Sequence, residues 1–301
     1  MNIAYLSGEL GIGKTSLLAF LRHFLQKQFG VLGVHVFLAG ADTLEEALHR
    51  IFDQILRVAR HEHVAGGGPE LFRSSQATAA LGTDGLTLRA PDRELLAIGE
   101  NLDTVVHSLL ARMAPRYHGM MLILDNINEV ATSNAFAHWL KSFVDAASTR
   151  GKEPPLFLLL AGQEESRQAL MSANPSLDRL LQAETLGPWS EGDATEFFQH
   201  AFSSAERPVT PDAVRAMANF CNGRPAVAHK LGDATWRGDR DAHVTEDDAM
   251  TGLFELEPRV APPEPALPGQ REKEDAAQLS RRTAPSKIPN RQLLSVLRSL
   301  I

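Results

Sequence analysis

Gly8-Glu9-Leu10-Gly11-Ile12-Gly13-Lys14-Thr15 decides how this chain folds. It satisfies the pattern Gly-x-x-x-x-Gly-Lys-Thr, and Ser16 follows it. Glycine at positions 8, 11 and 13 lets the backbone curl with its N–H groups turned inward, forming a nest for a β-phosphate that Cβ atoms would obstruct. Lys14 then reaches the β- and γ-phosphates, and the Thr15 hydroxyl is the expected magnesium ligand. A helix that starts at this loop adds its N-terminal dipole and unpaired N–H groups to the attraction for an anion. Both flanks agree. Ile3-Ala4-Tyr5-Leu6 reads as a buried strand, and Leu17, Leu18, Leu21, Phe24 and Leu25 recur at helical spacing. A glycine-rich turn that binds nothing is the alternative, and it leaves those flanks unexplained. The sequence therefore predicts that Gly8, Glu9, Leu10, Gly11, Ile12, Gly13, Lys14, Thr15 and Ser16 bind a nucleoside triphosphate.

Outward from this loop, strand-like and helix-like segments alternate. Val34-His35-Val36-Phe37-Leu38 gives a second strand, and Leu44, Leu48, Ile51, Ile55 and Leu56 line one face of a helix over about residues 43–60. Residues 61–91 break the rhythm with Gly66-Gly67-Gly68 and Gly82-Thr83-Asp84-Gly85, which predicts a flexible insertion ending in a small hairpin. A helix over about residues 92–114 follows, then Met120-Met121-Leu122-Ile123-Leu124, an apolar run that closes on Asp125. Such a strand is buried on both faces of a parallel sheet, and its carboxylate emerges where ligands bind. This is the Walker B pattern, with Asp125 as second magnesium ligand beside Thr15. A plain strand-terminal Asp is the alternative.

The next residue departs from a common arrangement. Many ATPases of this architecture carry a Glu after the magnesium Asp to polarise the attacking water, whereas this chain has Asn126, followed by Ile127-Asn128-Glu129. An amide cannot act as a general base. Either Glu129 substitutes, or hydrolysis is slow and Asn126 only orients a water. Leu156-Phe157-Leu158-Leu159-Leu160-Ala161 reads as a further strand; its resemblance to the inserted central strand of phosphate-loop proteins implies a place between the phosphate-loop strand and the Walker B strand, with Gln163 at its tip as candidate γ-phosphate sensor or simply a polar turn or helix N-terminus. Residues 175–181 read as a short helix before a last strand near residues 184–186. Arg179 there is either a finger offered to a neighbouring subunit's nucleotide or an ordinary solvated arginine.

From about Ser190 the pattern is helical only. Ser190 with Asp193 forms a capping-box signature, Thr210-Pro211-Asp212 opens a second helix, and Asn222-Gly223-Arg224-Pro225 stops one helix and starts another. A last short helix, over about residues 245–254, completes a small bundle. Arg224 either reaches the phosphates from this lid or marks only a tight turn. Residues 257–287 form a proline-rich and charged linker, and residues 288–301 a short amphipathic helix with Leu293, Leu294, Leu297, Leu300 and Ile301 clustered.

Composition sets the outer bounds. The chain has 301 residues, 44% of them hydrophobic and 22% charged, enough for one sizeable α/β core and a smaller unit. A formal charge of −7 provides no global basic field, so nucleic-acid contact is not evident. Cys221 is the single cysteine, which excludes an internal disulfide framework and suits a reducing cytosol; it reads as a small buried hydrophobe. No segment approaches the roughly 18 apolar residues of a membrane span, and no secretory leader is evident, so the expected location is cytoplasmic. His61-Glu62-His63 lacks same-face spacing for a metal and reads as a solvated loop.

Taken together, these motifs resemble those of the AAA+ and STAND-like ATPases of prokaryotes, in the branch similar to origin-recognition and secretion-associated ATPases. The residues that carry the resemblance are Gly8 to Thr15, Met120 to Asn126, Leu156 to Gln163, Leu186-Gly187-Pro188-Trp189-Ser190-Glu191 and Gly223-Arg224-Pro225, over about residues 1–255. It implies an α/β three-layer sandwich with a five-stranded parallel sheet over residues 1–188, a helical lid over 189–256, ATP with magnesium, and conformational or oligomeric switching on nucleotide exchange. A protein partner would engage the lid or the C-terminal helix, and a homo-oligomer is compatible with the pattern. Family members usually place a helix and loop over the adenine ahead of the first strand; here Met1 lies almost on that strand. The expected function is thus an ATPase coupling nucleotide state to a partner. The alternatives are a non-hydrolysing nucleotide-binding scaffold and, less compatible with an all-helical end, a small-molecule phosphoryl transferase.

Overall fold

A computed structural model describes residues 2–62, 78–82, 85–89, 102–149 and 156–256. Its centre is a parallel sheet of β1 (Asn2–Ser7), β2 (Val31–Phe37), β5 (Gly119–Asp125), β6 (Leu156–Gly162) and β7 (Leu181–Thr185), in the order β2-β5-β6-β1-β7. The inserted strand β6 thus lies between β1 and β5, as the resemblance to phosphate-loop proteins implies.

Alternation along each strand feeds two cores, because successive side chains leave a strand on opposite faces. Ala4, Leu6, Met121, Ile123, Leu159 and Ala161 pack beneath α1 (Lys14–Phe29) with Leu17, Leu18 and Leu21. Ile3, Tyr5, Leu122, Leu124, Leu158 and Leu160 pack on the other side, against α2 (Leu44–His61), α3 (Leu102–Met113) and α4 (Asn134–Thr149). Two buried faces explain why β5 is apolar at every position up to its terminal acid. Each fully buried leucine contributes about 1.5–3 kcal/mol.

Local signals set the element ends. The Thr43 hydroxyl accepts from Glu46 N at 3.2 Å and starts α2, whose buried stripe contains Leu44, Leu48, Ile51, Ile55 and Leu56. Gly30, in the left-handed region at φ 58°, ends α1. The hairpin of the insertion is present as β3 (Thr78–Gly82) and β4 (Gly85–Arg89), paired antiparallel. The helix expected over 92–114 begins, among the described residues, at Leu102. The rest of the insertion, the linker over 257–287 and the helix over 288–301 lie outside the described residues.

Three expectations need correction. The short helix at 175–181 is a 3-10 turn, Pro175–Arg179, because Asn174 caps it through Ser176 N at 3.2 Å and β7 starts at once. The last strand begins at Leu181, not near 184. Glu62 is no solvated loop residue: its carboxylate accepts from Tyr117 Oη at 2.9 Å and Gln26 Nε2 at 3.4 Å and pairs with Arg116 at 2.7 Å. It fastens the end of α2 to α1 and to the approach to β5. His61 is exposed, and His63 lies outside the described residues.

Beyond the sheet stand α6 (Glu191–Ser204), α7 (Pro211–Cys221), α8 (Pro225–Gly238) and α9 (Glu246–Leu256), around a core of Phe198, Phe202, Met217, Leu231 and Leu253. α5 (Glu164–Ala173) instead packs on the sheet through Leu170. The capping box of Ser190 and Asp193 is formed, and Thr210 caps α7 through Ala213 N at 3.3 Å. Cys221 is buried, and burial pushes its thiol pKa up. Arg207 binds Asp239 and stacks over Trp236 at 3.9 Å. Burial opposes charge on Asp239, but the Arg207 guanidinium and the Asp241 backbone N–H outweigh it and hold the carboxyl below its ordinary range. Among the described residues no helix is long and apolar enough to cross a membrane.

Candidate functional site

The phosphate loop joins β1 to α1 at the C-terminal edge of the sheet. Gly11 (φ 77°) and Gly13 (φ 98°) sit in the left-handed region that L side chains resist. Gly8 answers to space instead: a Cβ there would lie 2.8 Å from the Leu186 carbonyl oxygen. Ile12 is buried and anchors the loop, while Glu9, Leu10 and Ser16 are exposed and Thr15 is half-buried. Gly13 caps α1 without a side chain, and the first turn carries no acid. Its N–H groups and dipole are therefore set for an anion. Lys14 Nζ donates to Gly8 O at 2.7 Å and Glu9 O at 2.9 Å, folded along the loop it would serve.

Asp125 ends β5 and is only 2% exposed. By register it shares the α1 face with Met121 and Ile123. Its Oδ2 is 3.1 Å from His35 Nε2 on β2, a partner that sequence spacing did not suggest. A carboxylate and a threonine hydroxyl are hard oxygen donors, the chemistry that magnesium selects, so the residues present fit that ion.

Around Asn126 the structure adds a second unanticipated arrangement. Asn126 adopts φ 57°, and asparagine is among the few residues with a side chain that tolerate this region. Its Oδ1 accepts from Asn128 Nδ2 at 2.5 Å. Asn128 Oδ1 in turn accepts from Gln163 N at 2.9 Å and Ser166 Oγ at 2.7 Å, and Tyr5 Oη donates to Gln163 O at 2.7 Å. Burial raises the Tyr5 phenol pKa well above its ordinary value, keeping it a donor. Gly162 makes room for this hub, since a Cβ there would lie 2.5 Å from Tyr5 Oη and 2.9 Å from Asn128 Oδ1. Asn126 and Gln163 are thereby joined through one side chain. Glu129 lies three residues beyond, its Oε2 buried without a hydrogen-bond partner among the described residues. The Gln163 side chain makes no cap bond to α5. Beside it, Arg167 forks onto Glu164 at 2.7–3.1 Å, which pulls the Glu164 pKa below its ordinary value.

Arg224 and Arg179 are placed differently. Arg224, N-cap of α8, reaches the loop from the lid: its Nη2 is 3.2 Å from Glu9 Oε2. Ala226 N donates to Gly11 O at 3.2 Å, and Pro225 lies 3.6 Å from the position a Gly13 Cβ would take. Arg179 ends its 3-10 turn exposed to solvent.

Comparison with known proteins agrees with this geometry. The family described as AAA domain matches residues 1–170. No curated protein matches the chain in sequence. Among solved structures, the Aeropyrum pernix ORC2 protein in its ADPNP–ADP complexes is similar with a TM-score of 0.58 and 16% identity, over 91% of this chain and 65% of that one. Its ADP form gives 0.59 and 15%, over 99% and 80%. A Walker-type ATPase of Pyrococcus abyssi gives 0.56 and 16%, over 99% and 84%. At these identities the likeness is one of fold.

Proposed function

The chain belongs to the AAA domain family, and from that membership we propose that it is an ATPase that couples nucleotide binding and slow hydrolysis to movement of its helical lid and, through it, of a protein partner. The observation that carries this reading is the seat of the lid on the phosphate loop: α8 begins on Gly11 through a backbone hydrogen bond and on Glu9 through Arg224. A ligand in the loop meets the lid directly.

The roles follow from position. Gly8, Gly11 and Gly13 shape the nest, Lys14 turns from the loop carbonyls to the phosphates, and the open N-terminus of α1 supplies further N–H donors. Thr15 and Asp125 would hold magnesium, which supplies charge neutralisation on the phosphates. Asn126, held by Asn128, orients water without removing its proton, and Gln163 on the same hub senses the terminal phosphate. Glu129 is the acid nearest in sequence to serve as base. Arg224 contributes from the lid, and Arg179 is the surface arginine available to a second copy. A non-hydrolysing scaffold is the second reading, favoured by Asn126.

Titration of the full chain with Mg·ATP and Mg·ADP, followed by lid-selective proteolysis and phosphate release, tests the proposal. Nucleotide-dependent protection of residues 190–256 with slow phosphate release is expected. Tight binding without release selects the scaffold, and binding that leaves the lid unprotected contradicts the coupling.

A further inference from the structure

His35 is a polar residue in an apolar strand, 5% exposed between Val34 and Val36, which are also buried. A buried imidazole needs a reason. Register supplies the first part of it. In the β2–β5 pair, Phe37 lies opposite Asp125 and His35 opposite Ile123, so His35 stands one pair behind Asp125 on the face that α1 covers. Gly33, two residues earlier on that face, has its Cβ position 2.1 Å from Arg22 Cγ of α1, which shows how closely the helix crosses this strand. The imidazole stacks on the Phe37 ring, with centroids 4.5 Å apart and planes 24° from parallel. Among the described residues its side-chain hydrogen-bond partner is Asp125 Oδ2 at 3.1 Å. A carboxylate only accepts, so the imidazole donates through Nε2–H.

Resting on the magnesium reading above, we propose that His35 is the positioning residue of the cation site: it fixes the Asp125 carboxylate in a single orientation by occupying Oδ2 and leaves Oδ1 for the ion. Carboxylates that ligate metals are themselves held by hydrogen bonds, and loss of such a partner weakens metal binding. Here that partner comes from the edge strand of the sheet, not from the phosphate loop or the lid. The arrangement also explains why a histidine occupies a strand position that packing alone would give to valine or leucine.

The test varies reach and donor at position 35 in the full chain at one fixed pH. His35→Gln carries an amide nitrogen at the distance of Nε2, His35→Asn stops short of it, and His35→Leu removes the donor. ATP affinity is measured first in EDTA and then during a magnesium titration, with the thermal midpoint of each ligand-free variant alongside. His35→Asn and His35→Leu should raise the half-saturating magnesium concentration by about tenfold or more, with ATP affinity in EDTA within about twofold of wild type and His35→Gln close to wild type in both. Should His35→Leu fail to fold, the Asn and Gln pair decides alone. Wild-type magnesium dependence in His35→Asn overturns the assignment, as does His35→Gln failing together with His35→Asn. A wild-type chain that binds no ATP with or without magnesium sinks the nucleotide reading itself, whereas ATP binding whose magnesium dependence ignores position 35 sinks only this inference.

Discussion

Gly223→Ala attacks the joint between lid and core at its tightest point. Gly223 sits at φ 69°, and its Cβ position lies 2.4 Å from the Trp189 carbonyl oxygen, 2.9 Å from Pro188 Cβ and 3.0 Å from Trp189 N. The left-handed conformation alone costs an alanine about 1–2 kcal/mol. The clash is with backbone, which cannot rotate away, so relief requires giving up the Trp189 N to Gly223 O bond of 2.8 Å, a loss of about 0.5–1.5 kcal/mol. The sum is roughly 1.5–3.5 kcal/mol, or a fall in melting midpoint of about 3–14 °C for a body of this size. Two control substitutions calibrate it. Gly40→Ala has φ 75° but open space, and pays only the conformational part; Gly187→Ala has neither constraint and should be near neutral. Thermal and urea unfolding of the three variants provide the assay, with Mg·ATP affinity measured in parallel because Arg224 is the next residue. A Gly223→Ala midpoint no lower than that of Gly40→Ala refutes the reasoning.

Further expectations concern the loop, the Asn126–Asn128–Gln163 hub and the lid. The Glu9–Arg224 pair is exposed at both ends and contributes at most about 1 kcal/mol to stability, so Glu9→Gln should leave the melting midpoint unchanged yet tighten Mg·ATP binding, an effect that calorimetry should find abolished in Arg224→Ala. Asn126→Glu supplies the missing base, though it places a glutamate in the left-handed region, and should raise steady-state phosphate release; in a variant whose melt stays cooperative, a rate that is unchanged or lower assigns water activation elsewhere. Asp239 titrates below its ordinary value near 3.8 in the folded lid, so its contribution is present above that pH and lost as pH falls through the lowered folded value. Urea midpoints of wild type and Asp239→Asn should accordingly differ most at pH 6, with the difference shrinking as pH falls below 3.8, and a difference that stays constant or grows as pH falls contradicts the pairing with Arg207.

Much of the architecture was legible because its signals are local. The glycine spacing of the loop, the apolar run ending at Asp125 and the capping residues Ser190 and Thr210 each act within a few residues of themselves. The sequence signal for β7 starts three residues late for a physical reason: β7 is an edge strand on which only Leu181 is buried, so it carries little apolar pattern. The contacts that complete the site were out of reach, since His35 meets Asp125 across 90 residues and Asn128 meets Ser166 across 38. Composition gives no hint of such pairs. Asn126 shows the converse. Read as chemistry, it is a missing base; at φ 57° its backbone conformation alone gives reason for asparagine. Between two histidines, Glu62 has the sequence signature of a loop charge, whereas its carboxylate ties α1, α2 and the approach to β5.

Calorimetric titration of Mg·ATP into the folded full chain, beside Lys14→Ala, is the most direct examination of the phosphate loop. Saturable heat with a single site in wild type, and its loss in a Lys14→Ala chain of unchanged melting midpoint, is the predicted result. Equal binding by both proteins, or no heat from a wild-type chain with a cooperative melt, would contradict it.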